Sequence, residues 1–288
     1  MSRKKQLSCL YTLSNRGSRN YRRVTIDKKD GGSRTLLVPC GLLKGVQRNI
    51  LHHVLDERPV SSCAQAYRKG TDIRGNASCH LGKKLVLKLD ISHFFDSILF
   101  PRVYGAAFPE TLFPPAAAML LTSLCCCNER LPQGSPASPA ISNLVMRPFD
   151  IYMDGWCRER GIAYTRYCDD MTFSGDFDAA ALCSKVRSYL EAMGFTLNEK
   201  KTKLLTGDVR QSVTGIVVND KLQVSREYRK KLRQEVYYCK KYGIDAHLER
   251  VEADTGIRWE KERYICSVQG RLRFVLQVNP QDDEFAGY

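Results

Sequence analysis

Two adjacent aspartates, Asp169 and Asp170, lie between two short runs of strand-forming residues in the segment AYTRYCDDMTFSGDF. Successive strand residues point to opposite faces, so both carboxylates can reach one site only where the backbone turns, as at a tight hairpin tip. Like charges this close raise each other's pKa, and a divalent cation relieves the repulsion. The pair therefore indicates metal-dependent chemistry; the ordinary alternative is two solvated turn residues.

A third carboxylate, Asp90, ends the buried-looking strand in KKLVLKLD. Alternation places the three leucines of this strand on one face and Asp90 on the other. An unpaired charge is costly to bury, so Asp90 needs a partner, unless it simply caps the helix expected from about Ser92. Hard oxygen ligands of this kind suit Mg²⁺.

The elements that position these carboxylates follow from the hydrophobic pattern. The segment YRRVTIDKKDGGSRTLLVPC predicts two strands, around Val24 and Leu37, joined by a turn at Asp30-Gly31-Gly32. GLLKGVQRNILHHVL has helical spacing. A proline-rich loop then leads into a helix near Ala140.

The remainder of the chain becomes helical and basic. A helix from Ala179 ends at Gly194, which suits a C-cap, and a hairpin turns at Asn219-Asp220. Apolar residues then recur at helical spacing in two stripes: Tyr228, Leu232, Val236 and Cys239, and Ile265, Val268, Leu272 and Val275. The change of character near Asp220 predicts a domain boundary.

Composition favours a polyanionic partner. Lys and Arg number 45 against 31 Asp and Glu, which gives a net charge of +14. No uncharged apolar run is long enough to cross a membrane, and the start lacks a signal-peptide pattern, so we expect a cytoplasmic protein with no membrane partner. The twelve cysteines include no CxxC pair, and we expect reduced thiols rather than a zinc site.

Four segments occur in an order and at a spacing that resemble the successive palm motifs of reverse transcriptases: LKLDISHFFDS, LPQGSPASPAISN, YCDD and GFTLNEKKT. The resemblance implies an α+β right-hand polymerase fold, with fingers, a palm built on an antiparallel sheet, and a helical thumb. It also implies that Asp90, Asp169 and Asp170 are catalytic and hold two Mg²⁺ ions, for which Mn²⁺ can substitute. The carbonyl of Ile91 is an expected additional ligand.

The resemblance also assigns residues around the nucleotide. Phe95 matches the steric gate that favours dNTPs over rNTPs, with Phe94 as the competing candidate. Gln133 and Gly134 match the loop along the nascent base pair. Lys201 matches a lysine proposed to protonate the leaving pyrophosphate, with Lys200 as its competitor.

Arginines upstream match positions in the fingers that clamp the triphosphate. These are Arg34 and Arg68, and a planar guanidinium suits the task. Lys28 and Lys29 are weaker candidates for the same role. Each of the four could instead be a surface cation.

Two further segments narrow the resemblance to bacterial retron reverse transcriptases. NASCH, from Asn76 to His80, resembles their NAxxH element, and Val213, Thr214 and Gly215 resemble their VTG triplet. We expect these residues, with the basic thumb residues Arg229, Lys230 and Arg233, to bind RNA or primer. Cys168 is a departure, because retron enzymes more often have alanine there.

A retron enzyme copies its own structured noncoding RNA into single-stranded DNA, starting from the 2′-OH of a guanosine, and the DNA stays joined to the RNA. The family implies dNTP substrates, template removal by host RNase H, and antiphage defence with an effector protein.

The expected domains are fingers at 1–84, with part of 102–131 returning to the fingers or palm, a palm at 85–220 and a thumb at 221–288. From this length we expect no RNase H, protease, integrase or endonuclease domain. Alternatives are an abortive-infection or diversity-generating reverse transcriptase, or a catalytically silent RNA-binding scaffold.

Overall fold

The computed structural model describes residues 2–27 and 31–287. Its helices are α1 (Arg3–Arg16), α2 (Gly41–Ile50), α3 (Ile73–Ser78), α4 (Phe94–Ser97), α5 (Phe100–Ala107), α6 (Pro115–Cys125), α7 (Ser138–Arg158), α8 (Ala179–Ala192), α9 (Arg226–Tyr242), α10 (Ile244–Thr255), α11 (Lys261–Val278) and α12 (Asp283–Ala286). A π-helical turn at Leu51–Leu55 continues α2, and 3₁₀ turns lie at Gly17–Asn20 and Glu199–Lys201.

The strands are β1 (Tyr21–Asp27), β2 (Ser33–Pro39), β3 (Leu85–Ser92), β4 (Ala163–Tyr167), β5 (Asp170–Gly175), β6 (Thr196–Leu197), β7 (Lys203–Thr206), β8 (Ser212–Val213), β9 (Ile216–Val217) and β10 (Gln223–Val224). The chain divides into two compact units. The first comprises Met1–Thr71 and Leu87–Leu204, and the second comprises Asp72–Val86 and Leu205–Tyr288. The expected limits of fingers, palm and thumb stay a prediction.

The sheet of the first unit has strand order β4-β5-β3-β6, and β7 also pairs with β3. The predicted alternation along β3 is present. Leu87, Leu89 and Ile91 belong to the main hydrophobic core, and Asp90 points to the opposite face. The long helix α7 packs against β4 and contributes Ile141, Phe149 and other buried residues to the same core. One face of the sheet therefore packs against the apolar core, and the other face can carry polar side chains.

Two predicted hairpins are confirmed in this unit. β1 pairs antiparallel with β2, with Val24 opposite Leu36. Gly31 has φ +84°, as its turn requires, whereas Lys28, Lys29 and Asp30 lie outside the described residues. β4 pairs with β5, with Tyr167 opposite Asp170, so Cys168 and Asp169 form a two-residue tip.

The second unit contains a three-stranded sheet, ordered β10-β9-β8, and the helices α9 to α11. The expected hairpin around Asn219-Asp220 joins β9 to β10. A second core forms here from residues of both predicted helical stripes, including Leu232, Val236 and Val275. The apolar faces of α9 and α11 therefore pack together, and their cationic faces stay exposed.

All twelve cysteines are unpaired thiols. Burial raises the pKa of several of them, including Cys63 and Cys157, to about 12, so these thiols are poor nucleophiles. Across the described residues, the helices are too short or too polar to span a lipid bilayer.

Candidate active site

The three aspartates picked out from the sequence line one cleft of about 610 Å³ in the first unit. The cleft walls come from β2, the end of β3 with α4, the loop before α7, the β4–β5 tip and the segment after β6. Other predicted residues that line it are Arg34, Ile91, Phe94, Phe95, Gln133 and Lys201. Groups from five separate stretches of chain therefore face the same space.

Asp90 is 4% exposed, and each of its carboxylate oxygens has a donor. Asn198 Nδ2 donates to Oδ1 at 3.1 Å, and Lys201 Nζ donates to Oδ2 at 2.8 Å. The hydrogen bond with Asp90 raises the pKa of Lys201. Lys200 is exposed and does not line the cleft. Of the two lysine candidates, the structure thus brings Lys201 to the aspartates.

The hairpin tip carries backbone strain. Cys168 has φ +62°, an unfavourable conformation for a residue with a side chain, of a kind that concentrates at functional sites. The Asp169 carbonyl accepts a hydrogen bond from the Ile91 N–H at 3.2 Å, which ties the tip to β3 beside Asp90. This connection places Asp169 and Asp170 next to the third carboxylate.

The pKa of Asp170 is raised to about 6, first by desolvation and then by the negative charges of Asp169 and Asp90. The side chain keeps a solvent-exposed edge, but the surrounding walls of the cleft limit its hydration. Lys88 and Lys201 act in the opposite direction. The cleft therefore holds more negative charge than its own cations neutralise.

A buried ion pair between α7 and β4 holds the β4–β5 tip in place. Arg166 and Asp150 are both fully buried, and Arg166 donates Nε to Oδ1 at 2.8 Å and Nη2 to Oδ2 at 2.6 Å. The same guanidinium donates Nη1 to the Cys168 carbonyl at 2.9 Å and Nη2 to Asn143 Oδ1 at 3.2 Å. Although burial opposes the charged form, Asp150 outweighs it and the pKa of Arg166 is raised. Helix α7 thus fixes the residue that precedes Asp169.

Phe94 and Phe95 both line the cleft but differ in their surroundings. Phe94 packs on Phe195 with ring centroids 5.8 Å apart. Phe95 also lines a neighbouring pocket of about 410 Å³. Both rings are buried and touch edge to face at 5.3 Å. Contact with both cavities favours Phe95 as the gate, and Phe94 as its support.

The β1–β2 hairpin and the loop before α7 are joined at the cleft. Arg34 Nε donates to Gln133 Oε1 at 2.7 Å, and the Leu37 N–H donates to the Gln133 carbonyl at 2.7 Å. Gly134 has φ +120°, and a Cβ there would lie 2.8 Å from the Leu37 carbonyl oxygen. Only glycine allows this close approach, so the predicted pair Gln133 and Gly134 is held directly against Arg34.

Arg68 is not brought into the cleft. Its Nη1 donates to the Ser61 carbonyl at 3.1 Å, and it lines neither the aspartate cleft nor the neighbouring pocket. Lys44, Arg48 and Tyr67 line that pocket instead. Nucleotide contact by Arg68 stays a prediction.

The two retron-like elements meet each other in the second unit. Asn76 Nδ2 donates to Thr214 Oγ1 at 3.4 Å, and Thr214 Oγ1 donates to the Ile73 carbonyl at 3.4 Å. Thr214 and Gly215 both have positive φ, at +47° and +86°. Asn76 and His80 are buried, as is Val213, so these side chains do not face solvent. The contacts explain why the elements occur together, and RNA contact by their residues stays a prediction.

The predicted thumb cations have different surroundings. Arg229 forms ion pairs with Asp282 and with Glu284, the latter at 2.6 Å. Arg233 Nη2 donates a hydrogen bond to Glu284 at 2.9 Å. Lys230 lines a groove of about 650 Å³ with both arginines. Carboxylates near the end of the described chain therefore neutralise part of this surface.

The carboxylates fit divalent cations in donor type and charge, since they are hard oxygen donors in a cleft with excess negative charge. Among the described residues, however, no three His, Cys, Asp or Glu side chains are grouped closely enough to hold a metal ion as they stand. Lys201 occupies Asp90 Oδ2. A cation at this oxygen would therefore compete with the Lys201 ammonium group.

Several residues of the site could not be predicted from the sequence. Asn198 lies within the quoted segment GFTLNEKKT, where a polar side chain beside the lysines was its only signal. Asn143 and Asp150 lie on α7 and Arg166 lies on β4, and a charged residue within a strand was the one sign of their network. Lys44 and Arg48 lie in GLLKGVQRNILHHVL, for which the sequence predicted only a helix.

Comparison with known proteins identifies the family. A model described as Reverse transcriptase (RNA-dependent DNA polymerase) matches residues 26–241. The retron Mx65 reverse transcriptase of Myxococcus xanthus is 35% identical over 288 residues, covering 92% of this chain and 63% of that protein. The retron Ec86 reverse transcriptase of Escherichia coli is 32% identical over 266 residues, covering 90% of this chain and 77% of that protein. The chain belongs to the retron reverse transcriptases.

The matched region is thus an RNA-directed DNA polymerase domain, from a family that is generally metal-dependent. A solved structure of telomerase from Candida albicans, in complex with a fragment of telomeric RNA, aligns with a TM-score of 0.50 and 12% identity. The alignment covers 92% of this chain and 61% of the telomerase chain, and at 12% identity the similarity shows the fold alone. The α+β right-hand polymerase fold expected from the sequence is confirmed.

Proposed function

We propose that this chain copies a structured noncoding RNA into single-stranded DNA, starting from the 2′-OH of a guanosine in that RNA. The observation that carries the proposal is the meeting of Asp90, Asp169 and Asp170 in one cleft of a retron-family polymerase domain. The product would stay joined to the RNA until host RNase H removes the copied template. An antiphage role with an effector protein follows from the family resemblance.

The three aspartates and the Ile91 carbonyl would hold two Mg²⁺ ions, or Mn²⁺ in their place. Bound there, the ions would supply charge stabilisation for the attacking and leaving oxygens. The chain's own groups bind and orient the substrates. Arg34 is directed into the cleft and suits a triphosphate oxygen, because guanidinium pairs with phosphate in two hydrogen bonds. Phe95 limits the space beside the sugar, which favours dNTPs.

Lys201 has two successive roles in this proposal. Its contact with Asp90 at 2.8 Å supports a first role, holding the carboxylate before substrates bind. Once released, its ammonium group would lie near the leaving pyrophosphate and could donate a proton to it. Gln133 and Gly134, fixed against β2, would lie along the new base pair.

The test is to express the chain together with its flanking noncoding region and extract total nucleic acid. We expect a single-stranded DNA whose mobility shifts on RNase treatment, because it carries attached RNA. The control is Asp169→Asn with Asp170→Asn, which should abolish the product while the protein still accumulates. The proposal is wrong if the product persists in the control variant, or if no DNA forms when the unmodified protein is expressed with its noncoding region.

A further inference from the structure

The exposed face of α9 carries a row of cationic and aromatic side chains. Residues recur at intervals of three or four: Arg226, Lys230, Arg233, Tyr237 and Lys241. Leu232 and Val236 are buried on the other side of the helix. From Arg226 to Lys241 the row is about 22 Å long at 1.5 Å per residue. We call this row, together with Tyr242 beside Lys241, the α9 stripe.

The first half of the α9 stripe offers charge to a polyanion. Arg226 and Lys230 line the groove of about 650 Å³, and the residues that line it include no Asp or Glu. In the described part of the chain neither residue is in an ion pair, whereas Arg233 is engaged by Glu284. Arg226 and Lys230 are therefore available to phosphates.

The second half ends in two exposed rings around one ammonium group. Lys241 Nζ lies 5.4 Å from the centroid of the Tyr237 ring and 5.1 Å from that of Tyr242. These rings are 50% and 56% exposed. Tyr238 lies between them, with centroids 5.7 Å from Tyr237 and 6.0 Å from Tyr242. The helix end thus presents aromatic faces that are not covered by the core.

Exposed rings next to phosphate-binding cations are the features that bind unpaired nucleotides, since bases stack on rings whatever their sequence. Paired bases in a duplex already stack on each other and cannot use such rings. We infer that the α9 stripe is a binding site for single-stranded nucleic acid, with phosphates at Arg226 and Lys230 and unpaired bases on Tyr237 and Tyr242. The inference rests on the proposed function, which provides both unpaired RNA and single-stranded DNA.

The test is fluorescence anisotropy of the full chain with labelled 12-nucleotide single strands, one RNA and one DNA, over a range of salt concentrations. Tyr237→Ala with Tyr242→Ala should weaken binding about fivefold or more at every salt concentration, because the rings contribute by stacking. The dependence of log Kd on log salt should keep its slope. In Arg226→Gln with Lys230→Gln the slope should instead fall by about 0.7 per removed charge.

Matched variants separate stacking from unfolding. Tyr237→Phe with Tyr242→Phe keeps both rings and should bind as the unmodified protein does. Tyr152→Ala removes an exposed tyrosine of the first unit and should also leave binding unchanged. The RNA and DNA strands, compared directly, tell which source of single strands the site prefers.

The inference is overturned if the double alanine variant binds single strands as tightly as the unmodified protein, which is expected for a surface that contacts a protein. It is also overturned if the double alanine substitution weakens binding of a 12-base-pair duplex by the same factor. Failure of the proposed function is seen separately, as absent primer extension by the unmodified protein. Binding is measured without synthesis, so one result does not decide the other.

Discussion

At the scale of single residues, the site depends on positions where a side chain is either obligatory or forbidden. Asp90 is a buried carboxylate with a donor on each oxygen, and Cys168 adopts a strained backbone conformation immediately before Asp169. Gly134 is the reverse case, because its backbone touches β2 where a Cβ has no space. The cleft is therefore built by local exceptions to ordinary backbone and burial preferences.

Gly134→Ala tests the close approach between the loop and β2. The new Cβ would meet the Leu37 carbonyl oxygen at 2.8 Å, at a φ of +120° that alanine rarely adopts. We expect a loss of about 1–3 kcal/mol in the free energy of unfolding, and weaker nucleotide use in primer extension. Gly45→Ala is the control, since nothing lies within 4 Å of its Cβ and α2 should gain up to about 1 kcal/mol. Equal stability of the two variants would contradict this description.

The three aspartates of the cleft could be predicted from the sequence because their signals are local. A strand alternation isolates Asp90 from its leucines, and a hairpin pattern places Asp169 at a tip. The partners of these residues could not be predicted in the same way. Asn198 meets Asp90 from 108 positions away, and Asp150 meets Arg166 from a different element, so packing decides both contacts.

At the scale of elements, helix α7 and hairpin β4–β5 act together through the buried pair of Asp150 and Arg166. Arg166 also donates to the carbonyl of Cys168. The pair thus has two separable effects, one on stability and one on the position of the tip. Tyr164 adds to the network by donating its hydroxyl to Asp150 Oδ1 at 2.8 Å.

Arg166→Met should cost about 3–5 kcal/mol in the free energy of unfolding, because it leaves Asp150 buried without its cation. Adding Asp150→Leu removes the unpaired charge and should recover much of that loss in denaturant unfolding. Polymerase activity should stay low in the double variant, since the Cys168 carbonyl has lost its donor. Recovery of activity together with stability would mean that Arg166 does not position the tip.

Buried His80 predicts a pH dependence in the second unit. Burial, and then the charge of Lys83, lowers its pKa from 6.5 to about 4. Because folded His80 resists protonation, the free energy of unfolding is highest above the unfolded-state pKa of 6.5. It decreases as the pH falls from 6.5 to about 4. The loss amounts to up to about 3 kcal/mol.

Urea unfolding at several pH values between 4 and 7.5 measures this effect. His80→Gln should reduce the fall in the free energy of unfolding at low pH, whereas His53→Gln, at an exposed position, should leave that fall unchanged. An equally steep decline in His80→Gln would contradict the assignment to His80.

At the scale of the whole molecule, charge is the dominant feature that the sequence already gives. A net charge of +14 predicts strong, salt-sensitive association with nucleic acid. Composition could not predict which cations are neutralised inside the protein. Arg229 and Arg233 pair with carboxylates about fifty residues further along the chain, and only the folded second unit brings them together.

We expect affinity for a structured RNA to fall by about 10³–10⁵ between 50 and 200 mM salt if six to ten phosphates are contacted. Filter binding across that range gives the slope and hence the number of contacts. Glu284→Gln should strengthen binding and steepen the slope by releasing Arg233, since Arg229 keeps its ion pair with Asp282. Glu249→Gln, at an exposed position on α10, serves as the charge-matched control. An affinity that is insensitive to salt would contradict a charge-driven association.

The most direct measurement of the central claim is primer extension on a generic RNA template with dNTPs and Mg²⁺, using the purified protein. We predict DNA synthesis by the unmodified chain and none by Asp90→Asn or by Asp169→Asn with Asp170→Asn, each folded as judged by thermal unfolding. Synthesis that survives in these variants, or its absence from the unmodified chain, would contradict the assignment of the three aspartates to catalysis.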